Sequence, residues 1–237
     1  MKSKGKLYLI PTRLGDNPPL EVLPLSIKKI IEQLDDYIVE NEKTARRFIK
    51  RVVPSKSQPN LKLKVLNKYT QESELNSFLE PCLNGISMGI ISEAGCPAIA
   101  DPGADIVSIA HAMNIKVVPL VGPSSVLLAL MSSGMNGQSF TFNGYLPIDK
   151  KERKQQIKAL ERRSSELNQT QLFIETPYRN NQMLADLSAT LHPNTRVCVA
   201  CDLTLPTEYI KTQSAKDWKN NTEDFHKRPA IFIIQKD

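Results

Sequence analysis

Ile86-Ser87-Met88-Gly89-Ile90-Ile91, followed by Ser92-Glu93-Ala94-Gly95-Cys96-Pro97 and Asp101-Pro102-Gly103, is the stretch whose reading decides the fold. A short apolar run that ends in glycine and proline reads as a strand buried on both faces. Such strands belong to parallel sheets, whose faces are covered by helices. Working outward, Ile106–Met113 reads as a helix and Ile115–Leu120 as the next strand. Upstream, Lys6–Pro11 is a strand, Val22–Leu34 a helix, Tyr37–Val39 a strand and Lys43–Arg51 a basic helix. Leu61–Leu66 alternates like a half-exposed strand, and Glu72–Leu83 reads as a helix. The β-α-β-α rhythm predicts an α/β fold with a parallel sheet.

Gly122-Pro123-Ser124-Ser125 opens a second set of elements with an apolar helix running to about Leu130, its serines available as an N-cap. Strands are predicted at Ser139–Asn143, Gln171–Ile174, Arg196–Ala200, Glu208–Lys211 and Ala230–Gln235. Helices are predicted at Lys150–Arg163 and Asn180–Leu191, with a short one around Trp218. The pattern implies two α/β domains, residues 1–120 and 121–237. No fixed-period repeat is present, which argues against a solenoid.

At 237 residues with 41% hydrophobic content, the chain has enough apolar material for one or two cores, and collagen-like or wholly disordered classes are excluded. The uncharged stretch from Val117 to Ile148 is broken by Pro119, Gly122, Pro123 and Gly134, so it is not one membrane-spanning helix. The basic start, Met1 to Lys6, precedes too short an apolar run for a signal peptide. A soluble, cytoplasmic protein is expected. Cys198-Val199-Ala200-Cys201 spells C-x-x-C, but residues three apart on a strand face opposite ways. No second pair completes a zinc site, and no metal is expected.

Ligands of open α/β sheets bind beyond the carboxyl ends of the strands. Four loops there carry glycine, proline or small residues: Pro11–Asp16, Ser92–Gly103, Val121–Ser125 and Glu175–Arg179. Glycine at such positions lets backbone approach a ligand closely. No dinucleotide fingerprint, P-loop or nucleophile elbow occurs. The histidines His111, His192 and His226 are far apart and read as surface or helix residues.

These loops also carry a resemblance. The strings SEAGCPAIADPG, VVPLVGPSS, FTFNGYLP and LFIETPYR resemble those of the class III S-adenosylmethionine-dependent methyltransferases, the tetrapyrrole methylase superfamily. Within it the chain is most similar to the family that methylates a cytidine ribose 2'-oxygen in small-subunit ribosomal RNA. The resemblance implies two α/β domains with S-adenosyl-L-methionine held in a cleft between them, and a homodimer. It implies cofactor contacts for Leu14, Glu93, Gly95, Cys96, Ser124, Ser125, Ile174 and Ala200. It also implies ribosomal RNA, or the small ribosomal subunit, as partner. Where the ribosomal enzymes carry E-D-T-R, this chain has Glu40-Asn41-Glu42-Lys43, and the histidine of their S-P-H-R is Tyr178.

Methyl transfer from a sulfonium is an in-line displacement, helped by alignment and by excluding water. A hydroxyl acceptor also needs a proton acceptor or a polarising neighbour. Glu40, Glu175 and Arg179, at or just past strand ends, are the catalytic candidates. Basic clusters at Lys43–Lys56 and Lys150–Arg163 would suit phosphates. Competing expectations are a methyltransferase for a tetrapyrrole or other small molecule, and a cofactor-binding protein without turnover.

Overall fold

Five short strands, β1 (Lys6–Ile10), β2 (Asp36–Val39), β3 (Lys62–Val65), β4 (Met88–Ile91) and β5 (Lys116–Pro119), pair in the order β3-β2-β4-β1-β5. Every pairing is parallel. The computed structural model describes residues 3–67 and 69–236. It divides into two compact units, Met1–Ser124 and Ser125–Asp237. Gly122 and Pro123 belong with the first because Gly122 lies against Pro11, and Pro123 accepts a hydrogen bond from the Cys96 thiol.

In the first unit the alternation of side chains sorts apolar residues to two faces. On one, Ile10, Tyr37, Val39 and Ile91 pack against α2 (Leu25–Gln33) and α3 (Glu42–Val52) through Ile27, Ile31, Phe48 and Ile49. On the other, Leu7, Ile38, Met88 and Ile90 pack against α4 (Glu72–Phe78) and α6 (Gly103–Ala112) through Leu75, Ile106 and Ala110. β4 is fully buried, as a strand covered on both faces must be. The predicted helix Glu72–Leu83 is instead α4 followed by a separate turn, α5 (Glu80–Leu83). Pro81 cannot donate a helical hydrogen bond and its ring clashes with the preceding turn, so the helix breaks at Leu79. The predicted helix Val22–Leu34 starts instead at Leu25, after Pro24, as α2, and Val22 ends a separate short helix, α1 (Pro19–Val22).

The second unit has the order β6-β7-β10-β8-β9, from β6 (Phe140–Tyr145), β7 (Thr170–Ile174), β8 (Arg196–Cys201), β9 (Tyr209–Ser214) and β10 (Ala230–Gln235). Only β6 and β7 run parallel. β10 is antiparallel to both its neighbours, and β8 and β9 form an antiparallel pair. α8 (Lys150–Leu167) and α9 (Asn180–Thr190) cover one face through Ile157, Leu160, Met183 and Leu187, packed on Phe173, Val199 and Phe232. α7 (Ser125–Ser133) lies against β8, β9 and β10. α8 starts where Asp149 accepts hydrogen bonds from the Lys151 and Glu152 amides, each 2.9 Å, and ends at Asn168 in a left-handed conformation. Among the described residues, no helix is long and apolar enough to cross a membrane.

Cys198 and Cys201 are both buried in β8, and only Cys201 joins the core under α8 and α9. The alternating geometry of a strand separates them, as expected.

Candidate active site

At the carboxyl edge of the parallel sheet, the loops that follow β1 and β4 meet the start of α3. They enclose a cavity of about 220 Å³ lined by Thr12, Leu14, Thr44, Arg47, Ser92 and Glu93, among others. A recess of about 290 Å³ lies at the opposite edge, beside Tyr8, Asp36 and Ser87, where strands begin. The smaller cavity is the better candidate, because strand carboxyl ends are where such sheets bind ligands.

The loop after β4 is held open by a set of bonds from its neighbours. The Thr12 amide donates to Gly95 O at 2.9 Å, and the Ser92 hydroxyl reaches the same carbonyl at 3.3 Å. The Glu93 amide donates to Glu40 Oε1 at 3.1 Å, and the Thr44 hydroxyl donates to Glu93 Oε1 at 2.5 Å. Thr44 itself is fixed by the Asn41 cap of α3, whose side-chain oxygen accepts from the Lys43 and Thr44 amides. Gly95 adopts φ +73°, and a Cβ there would lie 3.2 Å from Leu14 Cδ2 and 3.5 Å from Pro123 O. Only glycine sits comfortably in that backbone and that space. Leu14, Glu40, Glu93, Gly95 and Cys96 therefore converge on one loop system, and the chain enters Ser124 from Pro123, which Cys96 Sγ contacts at 3.4 Å.

Asp101 closes the far end of the loop. Its carboxylate accepts from the Ala98 amide at 2.9 and 3.0 Å and from Gly103 N at 2.7 Å. That bracket holds Ala98 and Ala100 at φ +66° and +61°, conformations costly for a residue with a Cβ. Burial pushes the Asp101 carboxyl above the ordinary range. Glu40 is raised too: burial is the main cause, with the Asp101 and Glu93 charges adding to it and the Glu93 amide opposing. Thr12, Thr44 and Asp101 are site-building residues that the sequence reading did not single out. For Asp101 a signal existed, since an aspartate two residues before glycine at a helix start is a local capping pattern.

In the second unit, Ile174 and Ala200 end up level with each other on either side of β10, both in register with Ile231. Ala200 is fully buried and Ile174 partly so. Ser125 is the first residue of α7. Glu175 is buried, and its Oε1 accepts from the Thr176 amide at 2.7 Å and from Arg179 Nε at 2.9 Å. Glu175 and Arg179 thus meet as an ion pair that shapes the turn between β7 and α9. Asp202 pairs with Arg228 Nε at 2.8 Å on the same edge of this sheet.

Part of each expected basic cluster is committed within the fold. Arg46 binds Glu42 and the carbonyls of Gln58 and Leu61, Arg51 binds Asp16, and Lys56 binds Asp35. Arg153, from the second cluster, is buried against Asp186. Arg47 is exposed, lines the cavity and has no bonded partner among the described residues.

Residues 20–218 match the model of a family described as tetrapyrrole (corrin/porphyrin) methylases. The chain is 29% identical, over 86% of its length and 67% of the relative's, to the ribosomal RNA small subunit methyltransferase I of Vibrio cholerae serotype O1. It is 26% identical to the protein of the same name from Escherichia coli O157:H7, over 98% of this chain and 78% of that one. The crystal structure of the methyltransferase CobJ superposes with a TM-score of 0.64 at 15% identity, over 98% of this chain and 94% of that one. The cobalt precorrin-4 methyltransferase CbiF gives 0.60 at 15% identity, covering 97% and 94%. At that identity the two structures establish the fold, while the family match spans the β4 loop and the start of α3, and the β1 loop precedes it. The chain belongs to the tetrapyrrole (corrin/porphyrin) methylase family and is a methyltransferase.

Proposed function

We propose that the chain methylates small-subunit ribosomal RNA on a cytidine ribose 2'-oxygen, with S-adenosylmethionine as donor. The observation that carries this reading is the polar cavity at the sheet's carboxyl edge, with Arg47 as an uncommitted cation among Thr12, Thr44, Ser92 and Glu93. A guanidinium beside hydroxyls and a carboxylate suits a sugar and its phosphate. Kinship with relatives named for ribosomal RNA methylation points the same way. The alternative, a tetrapyrrole or other small-molecule acceptor, has no comparable support at the residue level.

Gly95 and its surroundings fit the cofactor: a left-handed glycine packed between Leu14 and Pro123 gives a cradle that a side chain would fill. We assign cofactor contact in the first unit to Leu14, Glu93, Gly95, Cys96 and Ser124, and in the second to Ser125, Ile174 and Ala200. The bound donor supplies an electrophilic methyl group on a sulfonium. Glu40 is our choice as proton acceptor for the ribose hydroxyl, because burial raises its basicity and its Oε2 has no partner among the described residues. Glu175, buried, and Arg179, half-buried, form an ion pair that keeps the loop after β7 in shape. We propose a cytoplasmic homodimer, for which Leu127 and Met131, one turn apart on α7 and 52% and 79% exposed, offer apolar surface.

Incubation with methyl-labelled cofactor and small ribosomal subunits from a strain lacking the protein is the test. Label at a cytidine ribose is the expected result. Label confined to a small-molecule fraction overturns the reading. Glu40→Gln is expected to lower the rate by roughly 10²–10⁴-fold while leaving cofactor affinity in place. An unchanged rate removes Glu40 from the chemistry.

A further inference from the structure

At one edge of the second sheet, where β7 ends and β10 begins, two loops 48 residues apart are fastened together. The Lys227 amide donates to Pro177 O at 2.9 Å, and Asn180 Nδ2 donates to Arg228 O at 2.6 Å. The fastening displays Tyr178, which is 69% exposed despite being a large aromatic. The His226 ring meets it edge-on, with centroids 5.7 Å apart and planes at 75°. Lys227 Nζ stands 5.8 Å from the Tyr178 ring centroid. Lys227 holds φ +61°, a left-handed conformation unfavourable for a residue with a Cβ.

Two of the carboxylates around this group are paired with cations, and a third is held by uncharged donors. Glu175 is committed to Arg179, and Asp202 to Arg228. Asp224 accepts from Asn181 Nδ2 at 2.6 Å and from the His226 amide at 2.9 Å. The Lys227 ammonium has no anionic partner among the described residues. What remains on the surface is an aromatic face, an imidazole and a lone cation within one nucleotide's reach of each other. Unstacked RNA bases are held by aromatic side chains in this way, with phosphate taken by a nearby lysine.

We infer that Tyr178, His226 and Lys227 form a docking platform for one unpaired nucleotide of the RNA acceptor, the base stacking on Tyr178 and a flanking phosphate meeting Lys227. The inference rests on the ribosomal RNA reading above and names a specificity element for it. Binding of a twelve-nucleotide single-stranded RNA to the full-length protein, followed by fluorescence anisotropy across a salt series, tests it alongside methyl transfer to small subunits. Tyr178→Ala is expected to weaken binding roughly tenfold and to raise KM for subunits with kcat little changed, while Tyr178→Phe, which keeps the ring, behaves as wild type. Lys227→Gln is expected to weaken binding and to reduce the salt slope by about 0.7. If Tyr178→Ala binds RNA and turns over subunits like wild type, the platform is wrong and the ribosomal reading stands. If wild type neither binds the RNA nor labels subunits, both fall. Loss of affinity for intact subunits but not for the RNA alone would assign the surface to a ribosomal protein and overturn the inference.

Discussion

The two sheets of this molecule solve the same packing problem with different strand directions, and the difference decides what each can contribute. In the first, all five strands point one way, so every strand end and its following loop gathers at one edge. The β1 and β4 loops and the first turn of α3 then meet without long detours and enclose the cavity. In the second, β9 and β10 run against their neighbours, so the edge that carries the ends of β7 and β8 also carries the start of β10. That mixture puts Tyr178 beside Lys227. A parallel sheet concentrates loops of one kind; a mixed one brings together residues from both ends of strands.

The largest effect expected from breaking the comparison falls on the second unit. Arg153 and Asp186 are 8% and 13% exposed and join α8 to α9, and Arg153 also binds the carbonyls of Pro147 and Ile148. Arg153→Ala leaves Asp186 buried without its cation and should cost about 3–5 kcal/mol. Hydrogen exchange should then show β7, β10 and β8 losing protection while β1 and β4 keep theirs. Equal loss in both sheets would show that the units do not unfold separately. The mirror experiment is Gly122→Ala: a Cβ there would lie 2.3 Å from Pro11 Cβ, and the overpacking should cost about 1–3 kcal/mol, felt first in β1 and β5.

The smallest effect has the opposite sign. Glu40 titrates above its ordinary value of 4.5 in the folded protein, so at neutral pH the buried charge opposes folding. As pH falls through the raised folded-state value, proton uptake relieves that opposition, fully so below 4.5. Glu40→Gln should therefore be slightly more stable than wild type at pH 7, with the gap closing under acid. Thermal melts from pH 7 to pH 4 check this. A variant less stable at pH 7 would mean that the bond to the Glu93 amide outweighs the burial.

Strands buried along their whole length, β4 in the first sheet and β10 in the second, are legible in the sequence because they read as unbroken apolar runs. Met88–Ile91 and Ala230–Gln235 are plain in this way. Proline explains where helices were read too long: Pro24 and Pro81 each end a pattern that periodicity alone would continue. The antiparallel β8–β9 pair had a usable signal, since the seven residues 202–208 between them are too few for a parallel crossover. The direction of β10 had none. The site residues divide similarly. Gly95 and Glu93 stand out in a Gly- and Pro-rich loop, whereas Thr44 matters only because Asn41 orients the first turn of α3 toward Glu93. Charge counts along a chain do not reveal which cations the fold consumes. Arg153 is a buried strut and Arg47 an open one, yet both read as arginines on charged helices.

The left-handed backbone at residue 227 sets selection for heat resistance against selection for acceptor recognition. Glycine there would relax the chain and stabilise it by about 0.5–1 kcal/mol, and it would delete the ammonium. Variants screened for thermal tolerance alone should drift toward glycine at this position and become sturdier enzymes with a poorer grip on their acceptor.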